Sequence, residues 1–374
     1  MTGENNDLRQ IQVAIVLPFL NEQESLAITC NSLGFGLDEN NTPTNSTLFL
    51  IDNASTDDSL GVANTIKEKS REGRVIIGHE SERGYIPPRH RGNILAREYA
   101  KLHDLNERNI LILQADADTV YDKGYSELIR QTAQNFEWGI LFQASVSYPP
   151  EFGSSYPEYI SLCQEIDSEL EILFAPESYD VLIDDKVSGY LLKDYFNWCS
   201  HQREYNKQGE EIHAETSRLF IKSKAYGATK LRVEEAYAVP SQRRLLNEPA
   251  LNFASAGFPR ESSWNEKWRK AYQGPTTLSE FCSNSSHCEV QRAIRVRQQH
   301  LIGLLGILPL HIALTLGNTV NYQLIKIYRN IMSLLPKRTV LDLRIAPGRF
   351  LTDIFEIVDY HGDDLLKLLL NKIV

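Results

Sequence analysis

The first 150 residues alternate apolar runs with helix-like patterns, and this alternation limits what the chain can fold into. Apolar runs of this kind are typical of buried strands, and five of them span residues 13–19, 47–52, 74–79, 109–115 and 139–146. The segments between them have apolar residues on one helical face, which predicts helices over 22–33, 59–69, 92–103 and 124–136. Strands separated by helices imply a mostly parallel sheet, so we predict an α/β fold.

The pattern changes after the Pro149-Pro150 pair. Residues 156–174 have one apolar stripe, which predicts a long amphipathic helix, whereas residues 176–285 are mixed and polar. The last part, residues 289–374, has only helical patterns, which we expect to break at Pro309, Pro336 and Pro347. We therefore expect three segments, with boundaries near residues 150 and 288.

Composition excludes some classes of function and location. The net charge is −10, and an acidic chain is a poor candidate for non-specific nucleic-acid binding, which depends on Lys and Arg. The five cysteines are odd in number and form no CxxC pair, so a disulfide framework is not expected. The polar first ten residues lack the basic and apolar regions of a signal peptide. Together these features favour the cytoplasm.

The most apolar run, residues 301–316, contains Pro309 and His311 and is shorter than the ~20 residues that span a bilayer. We therefore predict a soluble protein in which Leu305, Ile307 and Leu308 are mostly buried in protein contacts. Association of this region with a membrane surface is the less favoured alternative, because basic residues precede the run at positions 292, 295 and 297.

Polar side chains follow three of the predicted strands at the point where each strand ends. The first strand ends at Pro18 and Phe19 and is followed by Glu22, the second ends at Asp52, and Asp116 and Asp118 follow the fourth. Ligands of open α/β sheets lie at the carboxyl ends of the strands. Carboxylates that converge there repel one another unless a positive group joins them, and a divalent cation such as Mg²⁺ or Mn²⁺ accepts carboxylate and phosphate oxygens.

The chain has neither G-x-x-x-x-G-K-[ST] nor G-x-G-x-x-G, the glycine-rich loops that hold phosphates in P-loop enzymes and dinucleotide-binding domains. A diphosphate would instead be held by a metal and by basic side chains. Arg83, Arg89 and Arg91 lie just before the third predicted helix, and the arginine fork suits phosphate recognition.

Four motifs follow one another along residues 12–146: VAIVLPFLNE, LIDNASTDDS, PRHRGN and LQADADT. In this order, each at a strand end or helix start, they resemble the N-terminal half of glycosyltransferase family 2, whose members have the GT-A fold. The resemblance implies a GT-A-type sheet with flanking helices and a helical C-terminal region. It assigns residues 1–150 to nucleotide-sugar binding and residues 151–288 to acceptor binding.

The resemblance also implies an activity: metal-dependent transfer of a sugar from a nucleoside-diphosphate sugar to a hydroxyl group, with inversion. A UDP-sugar is favoured as donor, a GDP-sugar is possible, and the acceptor is a small molecule or a glycan. Five residues match positions that bind the nucleotide in the family. Pro18 and Glu22 would border the nucleoside, Asp52 would accept hydrogen bonds from the base, Arg89 would lie near the base and phosphates, and Asp116 would face the ribose.

The remaining site residues are the metal ligand and the catalytic base. By the same resemblance, Asp118 would bind the metal that bridges the diphosphate. An inverting enzyme needs a general base for the acceptor hydroxyl, and relatives have an acidic pair after a tyrosine-containing segment. Tyr226 followed by Glu234 and Glu235 matches this layout, with Glu235 at the position of the base. The alternative is that both glutamates are solvated residues at the start of a helix.

Three other functions stay open. Retaining GT-A transferases share the first half of the pattern. Nucleotidyltransferases that act on sugar phosphates share the sheet, but they have a glycine-rich basic loop after the first strand, where this chain has PFLNEQES. A catalytically degenerate transferase-like module is the third. Metal-dependent hydrolysis of a nucleotide sugar would separate an active enzyme from such a module.

Overall fold

The computed structural model describes residues 9–370, which form two compact units. One unit contains the described residues up to Ser147, together with Ile183–Gln202 and Tyr226–Ser241. The other contains Tyr148–Leu182, Arg203–Ala225 and the described residues from Gln242 onward. Two short segments of the predicted acceptor-binding half therefore belong to the first unit.

The first unit contains an eight-stranded sheet. Its strands are β1 (Gln12–Phe19), β2 (Ser46–Asp52), β3 (Val75–His79), β4 (Ile110–Gln114), β5 (Thr119–Tyr121), β6 (Ile140–Val146), β7 (Ser188–Leu191) and β8 (Thr229–Pro240). Their order across the sheet is β3-β2-β1-β4-β7-β6-β8-β5. The adjacent strands β3, β2, β1 and β4 pair in parallel, and β6 is parallel to β8. Within this sheet, β7 and β5 are the strands that run antiparallel to their neighbours.

The helices of the two units follow in chain order. They are α1 (Leu26–Ser32), α2 (Ser59–Lys69), α3 (Ile86–Leu102), α4 (Tyr125–Ala133), α5 (Pro150–Ser155), α6 (Pro157–Leu170), α7 (Leu192–Asn197), α8 (Glu215–Lys224), α9 (Arg243–Asn247), α10 (Pro249–Ser255), α11 (Ser262–Ala271), α12 (Leu278–Ser283), α13 (Cys288–Leu301), α14 (Leu308–Thr315), α15 (Tyr322–Met332), α16 (Val340–Ile345) and α17 (Gly348–Leu370). The predicted class, a mostly parallel α/β sheet with flanking helices and a helical C-terminal region, is confirmed.

Helix α3 approaches the sheet closely because of Gly92. A Cβ atom at this position would lie 2.3 Å from Cγ1 of Val16, so a larger residue would push the helix away from β1. The helix also begins at Ile86, six residues earlier than predicted. Pro87 and Pro88 occupy its first turn, where no backbone N–H is needed. Because the helix begins earlier than predicted, Arg89 is a residue of α3.

The predicted break at Pro309 is wrong. A π-helical segment, Ile302–Ile307, joins α13 to α14, and the helix runs without interruption over Cys288–Thr315. The wider π turns change the hydrogen-bonding pattern just before the proline, which accommodates a residue that lacks an N–H. Pro336 and Pro347 do lie between helices, as predicted.

The Cys288–Thr315 helix is long and apolar enough to cross a bilayer by length and composition, but 72% of its most apolar window is buried inside the protein. Ile307 and Leu308 are fully buried and Leu305 is partly buried. The predicted burial of these three residues in protein contacts is therefore confirmed.

Candidate active site

The ends of β2, β1 and β4 bring the predicted strand-end residues to one edge of the sheet. Phe19 of β1 pairs with Asp52 of β2, and Val16 pairs with Gln114 of β4 on the other side. Asp116 follows Gln114 by two residues. Because β2 and β4 flank β1, the strands of the two aspartates lie two strand spacings apart, about 10 Å. This separation is on the scale of a nucleoside.

The Asp52 carboxylate is held in a fixed orientation. It is buried; Oδ1 accepts a hydrogen bond from the Ser55 amide at 3.0 Å, and Oδ2 lies 3.0 Å from Nδ1 of His79. His79 ends β3 and is in register with Asp52. Each carboxylate oxygen can accept a further hydrogen bond. The sequence analysis missed His79, although its place at the end of the third predicted strand was visible.

The loops that follow β1 and β2 are joined by hydrogen bonds. Oδ1 of Asn21 accepts from the Thr56 amide at 2.7 Å, and the Glu22 amide donates to the Ser59 hydroxyl at 2.8 Å. Pro18 and Glu22 are both half-buried. Of the two predicted nucleoside-bordering residues, Pro18 therefore lies near the end of β1, and Glu22 lies in a loop that is joined by hydrogen bonds to the loop after Asp52.

A second loop is anchored by Asn53, which the sequence analysis also missed. Its buried side-chain amide donates to the carbonyl oxygens of Glu80, at 2.9 Å, and Glu82, at 2.8 Å. Arg83 donates in turn to the carbonyl oxygen of Ala54 at 2.8 Å. The loop that follows β3 is thereby tied to the end of β2.

A buried polar network supports Asp116. Arg89, only 5% exposed, donates from Nη2 to Oδ1 of Asp116 at 2.5 Å and from Nη1 to the Gln114 side chain at 3.2 Å. The Tyr190 hydroxyl accepts from Gln114 at 2.8 Å and from Asn93 at 3.2 Å. The Asp116 side chain itself is 35% exposed. The network therefore orients a carboxylate that remains accessible.

The network changes how the predicted role of Arg89 is understood. The resemblance implies that Arg89 contacts the base and phosphates, and this remains a prediction. In the structure the Arg89 guanidinium forms an ion pair with Asp116, so Arg89 is a positioning residue for that carboxylate. Gln114, Asn93 and Tyr190 were missed, although Gln114 is a polar residue at the end of an otherwise apolar strand.

Asp118 lies in a constrained turn. Its backbone carbonyl oxygen accepts from the Ser241 amide at 3.0 Å, and the Tyr121 hydroxyl accepts from the Asp116 amide at 3.0 Å. The Asp118 side chain is half-buried. Within residues 9–370, no group of three His, Cys, Asp or Glu side chains is arranged to hold a metal. Mg²⁺ commonly takes only one or two carboxylates and completes its shell with substrate phosphates and water, and a single carboxylate at Asp118 is compatible with such a site.

Glu234 and Glu235 lie on β8 and are exposed. The pairing between β6 and β8 passes from Ala144 with Val233 to Ser145 with Tyr237, so both glutamates belong to a bulge. They are thus solvated strand residues and do not begin a helix, contrary to the alternative raised from the sequence. Bulges turn side chains out of the regular ladder and are frequent next to active sites. The role of these residues as base remains a prediction.

The second unit has buried carboxylates of its own, which the sequence analysis did not single out. Glu215 is the first residue of α8, and Glu261 accepts hydrogen bonds from the amides of His213 at 3.4 Å and Arg260 at 3.0 Å. Burial lowers the pKa of His213, and the nearby charges of Glu261 and Glu215 oppose that shift.

No protein-family model matches the chain, and no curated protein sequence matches it. Among solved structures, it is similar to TarS 1–349 from S. aureus in complex with UDP-GlcNAc, with a TM-score of 0.43 and 12% identity over 93% of this chain and 92% of that one. It is also similar to the mannosyltransferase PcManGT from Pyrobaculum calidifontis in complex with GDP-Man and Mn²⁺, with a TM-score of 0.45 and 11% identity over 93% and 87% of the two chains. Similarity this distant assigns neither a family nor an activity.

Proposed function

We propose that the chain is a glycosyltransferase that moves a sugar from a nucleoside-diphosphate sugar to a hydroxyl acceptor, with inversion and with the help of a divalent cation. One observation carries the proposal. Asp52 and Asp116 flank the end of β1, each held by hydrogen bonds, and Asp118 follows two residues later. This edge of an open α/β sheet is where such folds bind ligands.

The proposed donor site assigns separate tasks to its carboxylates. Asp52 accepts a hydrogen bond from an N–H of the base. Uracil and guanine both offer such a donor, so this contact admits either nucleotide; a UDP-sugar is the favoured donor and a GDP-sugar is possible. Asp116, oriented by Arg89, accepts from a ribose hydroxyl. Pro18 at the end of β1 and Glu22 in the loop after it border the nucleoside. Carboxylates already held in place bind more tightly because less freedom is lost on binding.

The proposed metal ligand is Asp118. A divalent cation bound there would neutralise the charge that develops on the diphosphate leaving group. The chain's own contribution is the half-buried Asp118 carboxylate in a turn fixed by Ser241 and Tyr121. Either Mg²⁺ or Mn²⁺ suits oxygen ligands of this kind.

In the proposed reaction the acceptor oxygen bonds to the anomeric carbon while the bond from that carbon to the diphosphate breaks. Glu235 takes the proton of the acceptor hydroxyl, with Glu234 beside it on the same bulge. The acceptor is a small molecule or a glycan.

A release assay tests the proposed function. The full chain is incubated with a panel of UDP- and GDP-sugars and Mn²⁺ or Mg²⁺, and the released nucleoside diphosphate is quantified. We expect release from at least one donor, its loss in EDTA and its recovery with excess metal. Release of pyrophosphate from a nucleoside triphosphate and a sugar phosphate, with no release from any nucleotide sugar, would instead indicate a nucleotidyltransferase. Retention of anomeric configuration in the product would overturn the inverting assignment.

A further inference from the structure

Residues 322–349 of the second unit, here called the basic segment, differ in charge from the rest of the chain. The basic segment contains six basic residues and one acidic residue, whereas the remaining chain has 33 basic and 48 acidic residues. Five of the six basic residues are exposed; the sixth, Arg338, is half-buried. A basic segment with exposed Lys and Arg in an otherwise acidic chain favours contact with an anionic surface.

The basic segment also exposes large apolar side chains. Leu341 and Ile345 are 62% and 58% exposed, and they lie four residues apart on α16, which places them on one face. Val340 and Arg344 are exposed on the same helix, while Leu343 on its opposite side is fully buried. The helix therefore presents an apolar and cationic face to solvent.

The exposed face of α16 belongs to a well-fixed part of the basic segment. Thr339 and Asp342 form a capping box at the start of α16, and the Arg338 guanidinium donates two hydrogen bonds to Asp353, at 2.8 and 2.7 Å. Arg349 lies 3.8 Å from Asp342. Exposure of the apolar residues is thus a property of the folded surface and is not caused by fraying of a helix end.

We propose that the basic segment docks on the surface of an anionic lipid bilayer. Aliphatic side chains on one face, such as Leu341 and Ile345, insert at the boundary between headgroups and acyl chains, while Lys and Arg contact anionic headgroups. Nucleic acids and acidic glycans would use the cations but would leave these aliphatic side chains in water. The acidic remainder of the chain is repelled by the same surface, which favours docking through this segment alone. The proposal does not depend on the proposed function.

Flotation with vesicles of stated composition tests this proposal. The full chain is mixed with phosphatidylcholine vesicles or with vesicles in which about one third of the lipid is phosphatidylglycerol, an anionic lipid whose surface potential attracts basic segments. We expect the chain to float with the anionic vesicles alone and to dissociate as salt is raised, because screening weakens the attraction. Failure to float with anionic vesicles at low salt would overturn the proposal.

Two double variants separate the apolar from the cationic contribution. L341S/I345S and K326E/K337E should each weaken vesicle binding by at least about tenfold. All four side chains are exposed, so the folded core is unchanged. The matched controls are L102S and K67E/K69E, which alter equally exposed residues outside the basic segment and should bind as the parent does.

The L341S/I345S variant also distinguishes an anionic bilayer from a partner that contacts only the basic side chains. If L341S/I345S binds anionic vesicles as tightly as the parent, the surface recognises polyanions without using its apolar face, and the bilayer proposal is wrong. Thermal unfolding of each variant establishes that weakened binding is not caused by unfolding.

Discussion

At the scale of the residue, the orientation of the Asp52 carboxylate is fixed by its hydrogen bonds within the protein. Its side chain is fixed by the Ser55 amide and the His79 ring, so the orientation of its oxygens is set by folding. The exposed face of Asp116 is prepared in the same way by Arg89. Groups that are already oriented need not reorganise when charge or a hydrogen-bond donor appears beside them.

Replacing Asp52 tests its proposed contact with the base. Asp52→Ala should weaken nucleoside-diphosphate binding by ~1.5–3 kcal/mol, or roughly one to two decades in Kd, because a charged hydrogen-bond acceptor is lost. Calorimetric titration measures the change. Glu68→Ala, on the exposed face of α2, is the control. An unchanged affinity in Asp52→Ala would show that this carboxylate does not contact the base.

Replacing Asp118 tests the metal role. Asp118→Asn should abolish nucleotide-sugar turnover while the unfolding transition stays within about 1 kcal/mol of the parent, because the half-buried side chain is replaced by one of the same shape. Asp104→Asn is a matched control at an exposed position whose positive φ suits asparagine. Transfer by Asp118→Asn that is undiminished and insensitive to EDTA would exclude this residue as the metal ligand.

At the scale of elements, α3, β4 and β7 are joined by side chains that sequence patterns could not connect. Tyr190 of β7 accepts hydrogen bonds from Gln114 of β4 and Asn93 of α3, residues about 80 to 100 positions away along the chain. Periodicity predicted β1 to β4 and β6 because continuous apolar runs mark buried strands. It missed β5 and β7, which have only three and four residues, and β8, whose bulge interrupts the alternation.

In the candidate site, too, the sequence pattern predicted residues near strand ends but not the contacts between distant side chains. Asp52, Asp116 and Asp118 could be predicted because they lie at or just after the carboxyl ends of strands, and the strand order then brings those ends to one edge. The role of Arg89 as a support for Asp116, and the contact of His79 with Asp52, depend on tertiary packing that one sequence does not encode locally.

Removing one hydroxyl should destabilise the network that joins these elements. Tyr190→Phe leaves the buried amides of Gln114 and Asn93 without this acceptor, which should lower the unfolding free energy by about 1–3 kcal/mol. Urea denaturation measures the change. Tyr360→Phe, on an exposed tyrosine of α17, should have no measurable effect. Equal stability of the two variants would show that the hydroxyl is not needed to satisfy the network.

The hydrogen bond between Asp194 of α7 and Gly139, the residue before β6, predicts that the unfolding free energy depends on pH. Oδ2 of Asp194 accepts from the Gly139 amide at 2.7 Å, and burial raises the pKa of Asp194 to about 6. Because the unfolded pKa is about 3.9, the native state binds more protons over this window, and the Asp194 contribution to stability is lost as pH rises through about 6.

Asp194→Asn removes this titration but keeps an acceptor oxygen. The unfolding free energy of the parent minus that of the variant should therefore decrease between roughly pH 3.5 and pH 7, an interval that brackets the two pKa values. Urea denaturation at both pH values gives the difference. A constant or increasing difference would show that burial does not raise the pKa of this carboxyl.

At the scale of the whole molecule, the two units have different surface chemistry. The first unit collects acidic side chains at the carboxyl edge of its sheet, where a cation would be needed to bind a diphosphate. The second buries its most apolar helix and exposes the basic segment instead. Each unit can therefore be tested separately, the first by nucleotide binding and the second by vesicle binding.

Titration calorimetry of UDP and GDP into the full chain tests the central claim most directly. In Mn²⁺ we predict saturable 1:1 binding of at least one of the two nucleotides, abolished by EDTA and by Asp118→Asn and unchanged in Asp104→Asn. Two results would contradict a metal-dependent nucleotide-sugar site at the ends of β1, β2 and β4. One is binding of neither nucleotide with Mn²⁺ or Mg²⁺; the other is binding that is as tight in EDTA, and in Asp118→Asn, as it is for the parent chain with metal.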